Sequence, residues 1–292
     1  MRLTYRLLNV FARAGDPFSG NPLCVVEEAQ DLTDDQMQGL ARQFNLSETT
    51  FLVPAADGTD SGTDSRTDSR PDAGVRIFTP NYEMAFAGHP TLGTAHVVRS
   101  LGLGGDTLSL SMPAGTIPVS AERDTWTLTA NPGVVHAEYQ VDEIASCVGL
   151  GPQDLVGPVQ QVSTGSAQVI AQASSVDAVR RAVGDAALMR QFAGMGTRGG
   201  ETLVYLWCET GAGEIEARAL FTQGSAAIED PATGSACSNL GAWLADKGRS
   251  GTWVVSQGAQ AGRPSTLLLS VDDGTVRVGG LVHALGEGTV EL

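Results

Sequence analysis

The sequence predicts an α+β protein of two domains, and three observations carry that prediction. Its 292 residues correspond to two domains at roughly 150 residues each. Strand-like runs are interrupted by a few helical segments, without the regular alternation that builds a parallel sheet, which points to antiparallel or mixed sheets. Two Gly-rich segments, 86–95 and 232–237, each open a helix, and their central glycines, Gly88 and Gly234, lie half a chain apart.

Residues 5–10 read as a strand entering the turn-rich loop 15–22, and 23–26 as a second apolar strand. Thr33 followed by Gln36 has capping-box form: the Thr side chain accepts from the third residue's N–H while the Gln side chain reaches back. Met37, Leu40, Ala41 and Phe44 then recur at i, i+3, i+4 and i+7, one face of an amphipathic helix ending near Asn45. Residues 49–53 are a strand. The stretch 57–72, DGTDSGTDSRTDSRPD, has no apolar side chain beyond one proline ring. It cannot repay its ordering entropy and reads as a mobile surface loop before a strand at 75–79. Residues 90–99 read as a helix with Pro90 in its first turn and Leu92, Ala95 and Val98 inward. Strands follow at 108–110, 117–119 and 125–129, short helices at 141–148 and 176–183, strands at 203–208 and 216–221, and a helix at 235–247. Further strands are predicted at 252–255, 266–271, 275–278 and 288–291.

Composition narrows the function. A hydrophobic content of 42% is enough for a buried core, and the formal charge of −15 repels phosphate backbones and anionic lipid. Nucleic acid and membrane surfaces are therefore poor partners. The four cysteines, Cys24, Cys147, Cys208 and Cys237, show no CxxC spacing, so neither a zinc site nor a disulfide framework is indicated. No signal-peptide core opens the chain and its apolar runs are far too short to span a bilayer, so a cytoplasmic protein with reduced thiols is expected. The GLGG turn at 102–105 lacks the strand and helix that flank a dinucleotide fingerprint. His89 and His96 lie seven apart with no carboxylate motif beside them. No metal and no cofactor is expected.

The paired helix starts carry the chemistry. The first-turn N–H groups of a helix lack intrahelical partners and sit at the positive end of its dipole. Two such ends facing a cleft would grip a small carboxylate. Glu48 lies where the first helix hands over to a strand, Asp230 directly before the second Gly segment, and His89 immediately after Gly88. A Glu held in a dry cleft has its pKa raised by desolvation, which suits a group that takes and returns a proton near neutrality. Each residue also has a plainer reading. Glu48 fits a solvated strand-edge carboxylate, Asp230 a helix N-cap, His89 a capping side chain, and the two segments ordinary glycine-containing helix starts.

The motifs NPLCVV, NLSETTF, VRIFTPNYEMAFAGHPTLGTA, AGTIPV, IEDPATGSA and QGAQAGRPS occur between residue 21 and about residue 265. Their order and approximate spacing resemble the phenazine-biosynthesis PhzF family, whose members share the diaminopimelate-epimerase fold. The resemblance implies two similar domains, each a curled mixed or antiparallel sheet around a central helix, with the active site in the interdomain cleft. The domains would be 1–131, joined by a C-terminal strand within 279–292, and 132–278, and the family is commonly homodimeric. The resemblance also implies an isomerase that needs no cofactor, moving a proton within a small cyclic carboxylic or amino acid. Glu48 would be its general acid/base, with His89, Asp230 and Ser235 positioning the substrate and assisting proton transfer. Ser47, Gly88 and Gly234 would bind the substrate, the glycines through backbone N–H groups. Racemases of this fold carry a cysteine at each helix start. Here Ala87 and Thr233 stand there, so two-thiol racemisation is excluded, and Cys237, one turn on, reads as a packed small residue. Arg263 reads as part of a structural turn. Two alternatives stay open: another acid/base step, a dehydration or tautomerisation in natural-product biosynthesis, and a small-carboxylate-binding protein without turnover.

Overall fold

The computed structural model describes residues 1–55, 70–194 and 202–292. Most of the Thr-Asp-Ser stretch, 57–69, lies outside the described residues. The chain divides into two units: Met1–Pro17 with Asn21–Leu128 and Leu281–Leu292, and Phe18–Gly20 with Thr129–Gly280.

In the first unit, β1 (Arg2–Ala12), β2 (Asn21–Val26), α1 (Asp34–Phe44), β3 (Glu48–Val53), β4 (Ala73–Phe78), β5 (Glu83–Met84), α2 (Gly88–Ser100), β6 (Thr107–Met112), β7 (Gly115–Glu122) and β8 (Thr125–Thr129) follow in order. β1 pairs antiparallel with β2, β2 parallel with β3, and β3 antiparallel with β4. β4 then pairs parallel with β6, and β6, β7 and β8 form an antiparallel meander. The predicted capping box forms at Thr33 and Gln36, and Asn45 ends α1 in the left-handed conformation. Asparagine is among the few residues other than glycine that adopt that conformation readily.

The second unit contains β9 (Val134–Tyr139), α3 (Val141–Cys147), β10 (Leu155–Ser163), β11 (Ala167–Ala173), α4 (Val176–Arg181), α5 (Ala186–Leu188), β12 (Leu203–Gly211), β13 (Glu214–Gln223), β14 (Ala226–Asp230), α6 (Gly234–Asp246), β15 (Gly251–Gln257), β16 (Ser265–Asp272) and the first part of β17 (Thr275–Glu291). Its pairings repeat those of the first unit step for step. β10 runs antiparallel to β11, β11 parallel to β12, and β12 antiparallel to β13. β13 runs parallel to β15, and β15, β16 and β17 form an antiparallel meander. Each unit is thus one copy of the same architecture, with α2 and α6 at equivalent places.

Both helices are central rather than amphipathic. α2 buries its residues from Gly88 to Ala95 together with Val97 and Val98, and packs on β1, β2, β3, β4 and β6. α6 buries Gly234 and every residue from Ala236 to Leu244, packing on β9, β10, β11 and β16. A helix buried all round needs small residues where strands come close. At Gly93 a Cβ would fall 2.5 Å from Leu23 Cδ2 and 2.9 Å from Val10 Cγ2.

Two features differ from the expectation. The strands read at 275–278 and 288–291 are one 17-residue strand, β17. It pairs with β16 through Gly279 and with β1 from Leu281 to Glu291. Its alternation of buried and exposed residues breaks where it changes partner, so no single period marks it. Five strands, β5, β9, β10, β11 and β14, and the short helix α5 were also not anticipated. β9 is mostly exposed and β10 carries Gly157 at a φ of 69°, so neither shows a clean two-residue period.

Candidate active site

Glu48 is the first residue of β3, delivered there by the turn that follows the Asn45 cap. β3 enters parallel to β2, opposite Leu23, so the Asn21-Pro22 start of β2 lies beside it. His89 is the second residue of α2, and its Nε2 is 3.5 Å from Glu48 Oε2. The side chains are 6% and 16% exposed respectively, so the plainer reading of Glu48 as a solvated carboxylate fails. Ser47 is exposed, and its hydroxyl donates to Asn21 Oδ1 at 3.4 Å. The starts of β2, β3 and α2 therefore meet around Glu48.

Burial pushes the His89 imidazole down from 6.5 to about 3, against a hydrogen bond to the Pro22 backbone that favours the charged form. A neighbouring carboxylate would also favour charge if ionised, but burial prevails. Proline has no N–H, so Pro22 accepts and the imidazole donates. Nε2 makes no hydrogen bond among the described residues, so the donor is Nδ1–H. Nε2 therefore turns a lone pair towards Glu48 Oε2, and a proton on that carboxyl has an acceptor facing it.

This burial has a pH consequence. The folded chain resists protonating His89, whereas the unfolded chain protonates it near 6.5. Stability is complete above that value and declines as pH falls towards about 3. At about two pH units below 6.5 the His89 contribution to the loss is about 3 kcal/mol. Denaturant unfolding at pH 7.5 and pH 4.5 should show His89→Asn losing less stability on acidification than the wild type. Equal losses would contradict a buried neutral imidazole.

In the second unit Asp230 ends β14, so it is not the N-cap of α6; Thr233 is. Thr233 gives α6 no side-chain cap, because its hydroxyl donates to Asp230 Oδ2 at 2.5 Å. Gln257 Nε2 donates to the Asp230 carbonyl at 2.9 Å and to Thr233 Oγ1 at 3.0 Å. Gln257 Oε1 accepts from the buried Tyr205 hydroxyl at 3.1 Å and from Thr233 N–H at 3.4 Å. A backbone N–H only donates and a carbonyl only accepts, so the orientation of the Gln257 amide is determined. Ser235, the second residue of α6, is half-buried, and its Oγ accepts from Gln168 Nε2 at 2.9 Å.

Gly88 and Gly234 are the first residues of α2 and α6, both buried. The preceding residues, Ala87 and Thr233, provide no side-chain cap, and His89 does not cap α2. By contrast α1, α4 and α5 are capped by Thr33, Ser175 and Asp185. α3 also lacks a side-chain cap, at Gln140, so what sets α2 and α6 apart is their buried glycine starts. Pro90, third in α2, lacks an N–H, so the donors at that end are those of Gly88 and His89.

The four cysteines are free and buried. Burial alone raises the Cys237 thiol far above its ordinary value and pushes Cys24 up to about 12, which makes both inert. Arg263 N–H donates to the Gly258 carbonyl at 3.0 Å, closing a local turn, and its Nε donates to the distant Gly20 carbonyl at 2.8 Å. Among the described residues no group of three or more His, Cys, Asp or Glu could hold a metal, and no helix is long and apolar enough to cross a membrane. Residue types alone had not marked Asn21, Pro22, Gln168, Tyr205, Asn239 or Gln257. Asn21, Pro22 and Gln257 stand inside NPLCVV and QGAQAGRPS, which is the signal that pointed towards them.

The family model described as phenazine biosynthesis-like protein matches residues 8–288. An uncharacterized isomerase of Pasteurella multocida is 35% identical, over 97% of this chain and 92% of its own. The trans-2,3-dihydro-3-hydroxyanthranilate isomerase of Pseudomonas fluorescens is 32% identical over 99% of both chains. Among solved structures, a PhzF-family protein of Bacillus anthracis covers 100% of both chains with a TM-score of 0.81 at 22% identity. A predicted epimerase of Pseudomonas aeruginosa covers 99% of both with a TM-score of 0.77 at 29% identity.

Proposed function

The chain belongs to the phenazine biosynthesis-like PhzF family of isomerases, and we propose that it isomerises a small cyclic carboxylic or amino acid with Glu48 as its acid/base. The observation that supports this most is the contact between the Glu48 carboxyl and the lone pair of a neutral, buried His89. As carboxylate, Glu48 removes a proton from one ring carbon, and the electrons of that C–H bond pass into the adjoining double bonds. As carboxylic acid, it returns the proton to another carbon of the same conjugated system. His89 Nε2 holds the O–H while the proton is carried. The proton count balances without an oxidant, a reductant or a cofactor.

In this reading Asp230 and Ser235 position the substrate and assist the transfer, and Ser47, Gly88 and Gly234 bind it, the glycines through backbone N–H groups. The uncapped starts of α2 and α6 support that role, since unpaired N–H groups at a positive dipole end suit a carboxylate. The same reading places the protein in the cytoplasm as a homodimer.

The substrate of the Pseudomonas fluorescens relative, trans-2,3-dihydro-3-hydroxyanthranilate, is the direct probe. Its conversion to an isomer of unchanged mass, followed by absorbance and chromatography, is the expected result. A loss of water would transfer the reading to a dehydration. Tight binding of carboxylates with no chemistry across a panel of cyclic dienes would overturn it in favour of a binding protein.

A further inference from the structure

We infer that Gln168 is a positioning residue that keeps the Ser235 hydroxyl proton free to be donated to the substrate. The inference rests on the reading above, in which Ser235 touches substrate. It begins at Asn239, fully buried one turn beyond Ser235 in α6. Asn239 Oδ1 accepts from the Thr164 backbone N–H at 2.7 Å and from the Thr164 hydroxyl at 2.9 Å. A backbone N–H can only donate, so this atom of Asn239 is the oxygen and its amide nitrogen points the other way. Asn239 Nδ2 donates to the Ser166 carbonyl at 2.8 Å and to Gln168 Oε1 at 2.8 Å.

The polarity then passes along the chain of bonds. With its oxygen committed to Asn239, Gln168 offers its Nε2 to Ser235 Oγ at 2.9 Å. A serine hydroxyl has one proton and two lone pairs. Having accepted from Gln168, Ser235 directs its own proton elsewhere, at the N-terminal end of α6 where the backbone also presents donors. An O–H directed this way beside the backbone N–H groups favours an acceptor oxygen, a carboxylate or carbonyl, as its partner. One backbone N–H, that of Thr164, sets this through two buried amides. Neither amide lies in the Gly-rich segment itself.

Gln168→Glu tests the polarity with little change of shape. Above its pKa the introduced carboxylate can only accept, so Ser235 must donate to it and is lost to the substrate. As pH falls the carboxyl acquires a proton, donates to Ser235 and restores the original polarity. None of Thr164, Gln168, Ser235 and Asn239 titrates, and the effect is read against the wild type at each pH. The expected result with trans-2,3-dihydro-3-hydroxyanthranilate is a kcat/KM lower by about 10- to 100-fold at pH 8, with the deficit shrinking severalfold by pH 5.5. Gln168→Met, which neither donates nor accepts strongly, should lose less and without pH dependence. A Gln168→Glu enzyme as active as wild type at pH 8, or equal pH-independent losses in both variants, would overturn the inference.

A second measurement needs no ligand. In 1H–15N spectra the side-chain amide protons of Gln168 and Asn239 should exchange slowly with water, and Ser235→Ala should shift the Gln168 pair. Exchange as fast as in an exposed glutamine would contradict the relay even if the probe is not the substrate. The two levels separate cleanly. An inactive Glu48→Gln beside a fully active Gln168→Glu removes the relay alone, whereas an active Glu48→Gln removes the proposed chemistry and leaves the spectra to decide the relay.

Discussion

Glu48→Gln is expected to abolish isomerisation, lowering kcat by about a thousandfold or more while the protein stays folded. Positioned acid/base groups contribute about 10²- to 10⁴-fold each, and here one carboxyl performs both the removal and the return of the proton. The substitution keeps the size and planarity of the side chain, which is 16% exposed, and replaces the acid with an amide that cannot exchange a proton. The amide can also donate to His89 Nε2, whose lone pair faces it at 3.5 Å, so the local packing should survive. Thermal unfolding should shift by no more than a few degrees, and a non-reacting aromatic carboxylate should still bind. Glu48→Asp is expected to fall between the two, because shortening the side chain withdraws the acid from its proton and a misplacement of about 1 Å costs about 10²-fold. Full activity in Glu48→Gln would assign the proton transfer to another group.

The places of Glu48, Gly88 and Gly234 in the fold were legible in the sequence because each sits where one local element ends and another begins. The Thr33–Gln36 box and the Met37, Leu40, Ala41 stripe set α1, whose end at Asn45 dictates where β3 starts and so where Glu48 stands. The glycines at 88 and 234 marked the two central helices because each stands in a Gly-rich segment that opens a helical pattern, half a chain apart. What stayed hidden is long-range. Gln168 lies in β11, a short strand without polar alternation, and its partners are 67 and 71 residues away. No local pattern announces which buried amide will meet which hydroxyl. β17 was seen as two fragments for a related reason: half of it answers to β16 and half to β1, and a strand serving two partners carries two registers.

Gly258→Ala is expected to damage both stability and turnover, and the reason is the position of one absent methyl group. Gly258 follows Gln257 and adopts a φ of 79°, a region that costs an L residue about 1–2 kcal/mol. A Cβ there would fall 2.3 Å from the Pro231 carbonyl oxygen and 2.4 Å from that of Arg263. Both are backbone atoms, and Arg263 N–H also donates to the Gly258 carbonyl at 3.0 Å, so the turn has no flexible side chain to give way. Relief requires moving Pro231, which joins Asp230 to the start of α6, or moving Gln257, whose amide is bonded to both Asp230 and Thr233. The cost should exceed the backbone penalty by about 1–3 kcal/mol of overpacking, and turnover should fall by about 10²-fold as Asp230 is displaced. Gly262→Ala provides the control. Its φ of 72° carries the same backbone penalty, but nothing lies within 4 Å of the added methyl. It should therefore lose about 1–2 kcal/mol and keep its kcat. Denaturant unfolding and steady-state kinetics on the two variants separate collision from conformation: matching losses in both would mean that the close approach of Gly258 to Pro231 does not hold Asp230 in place.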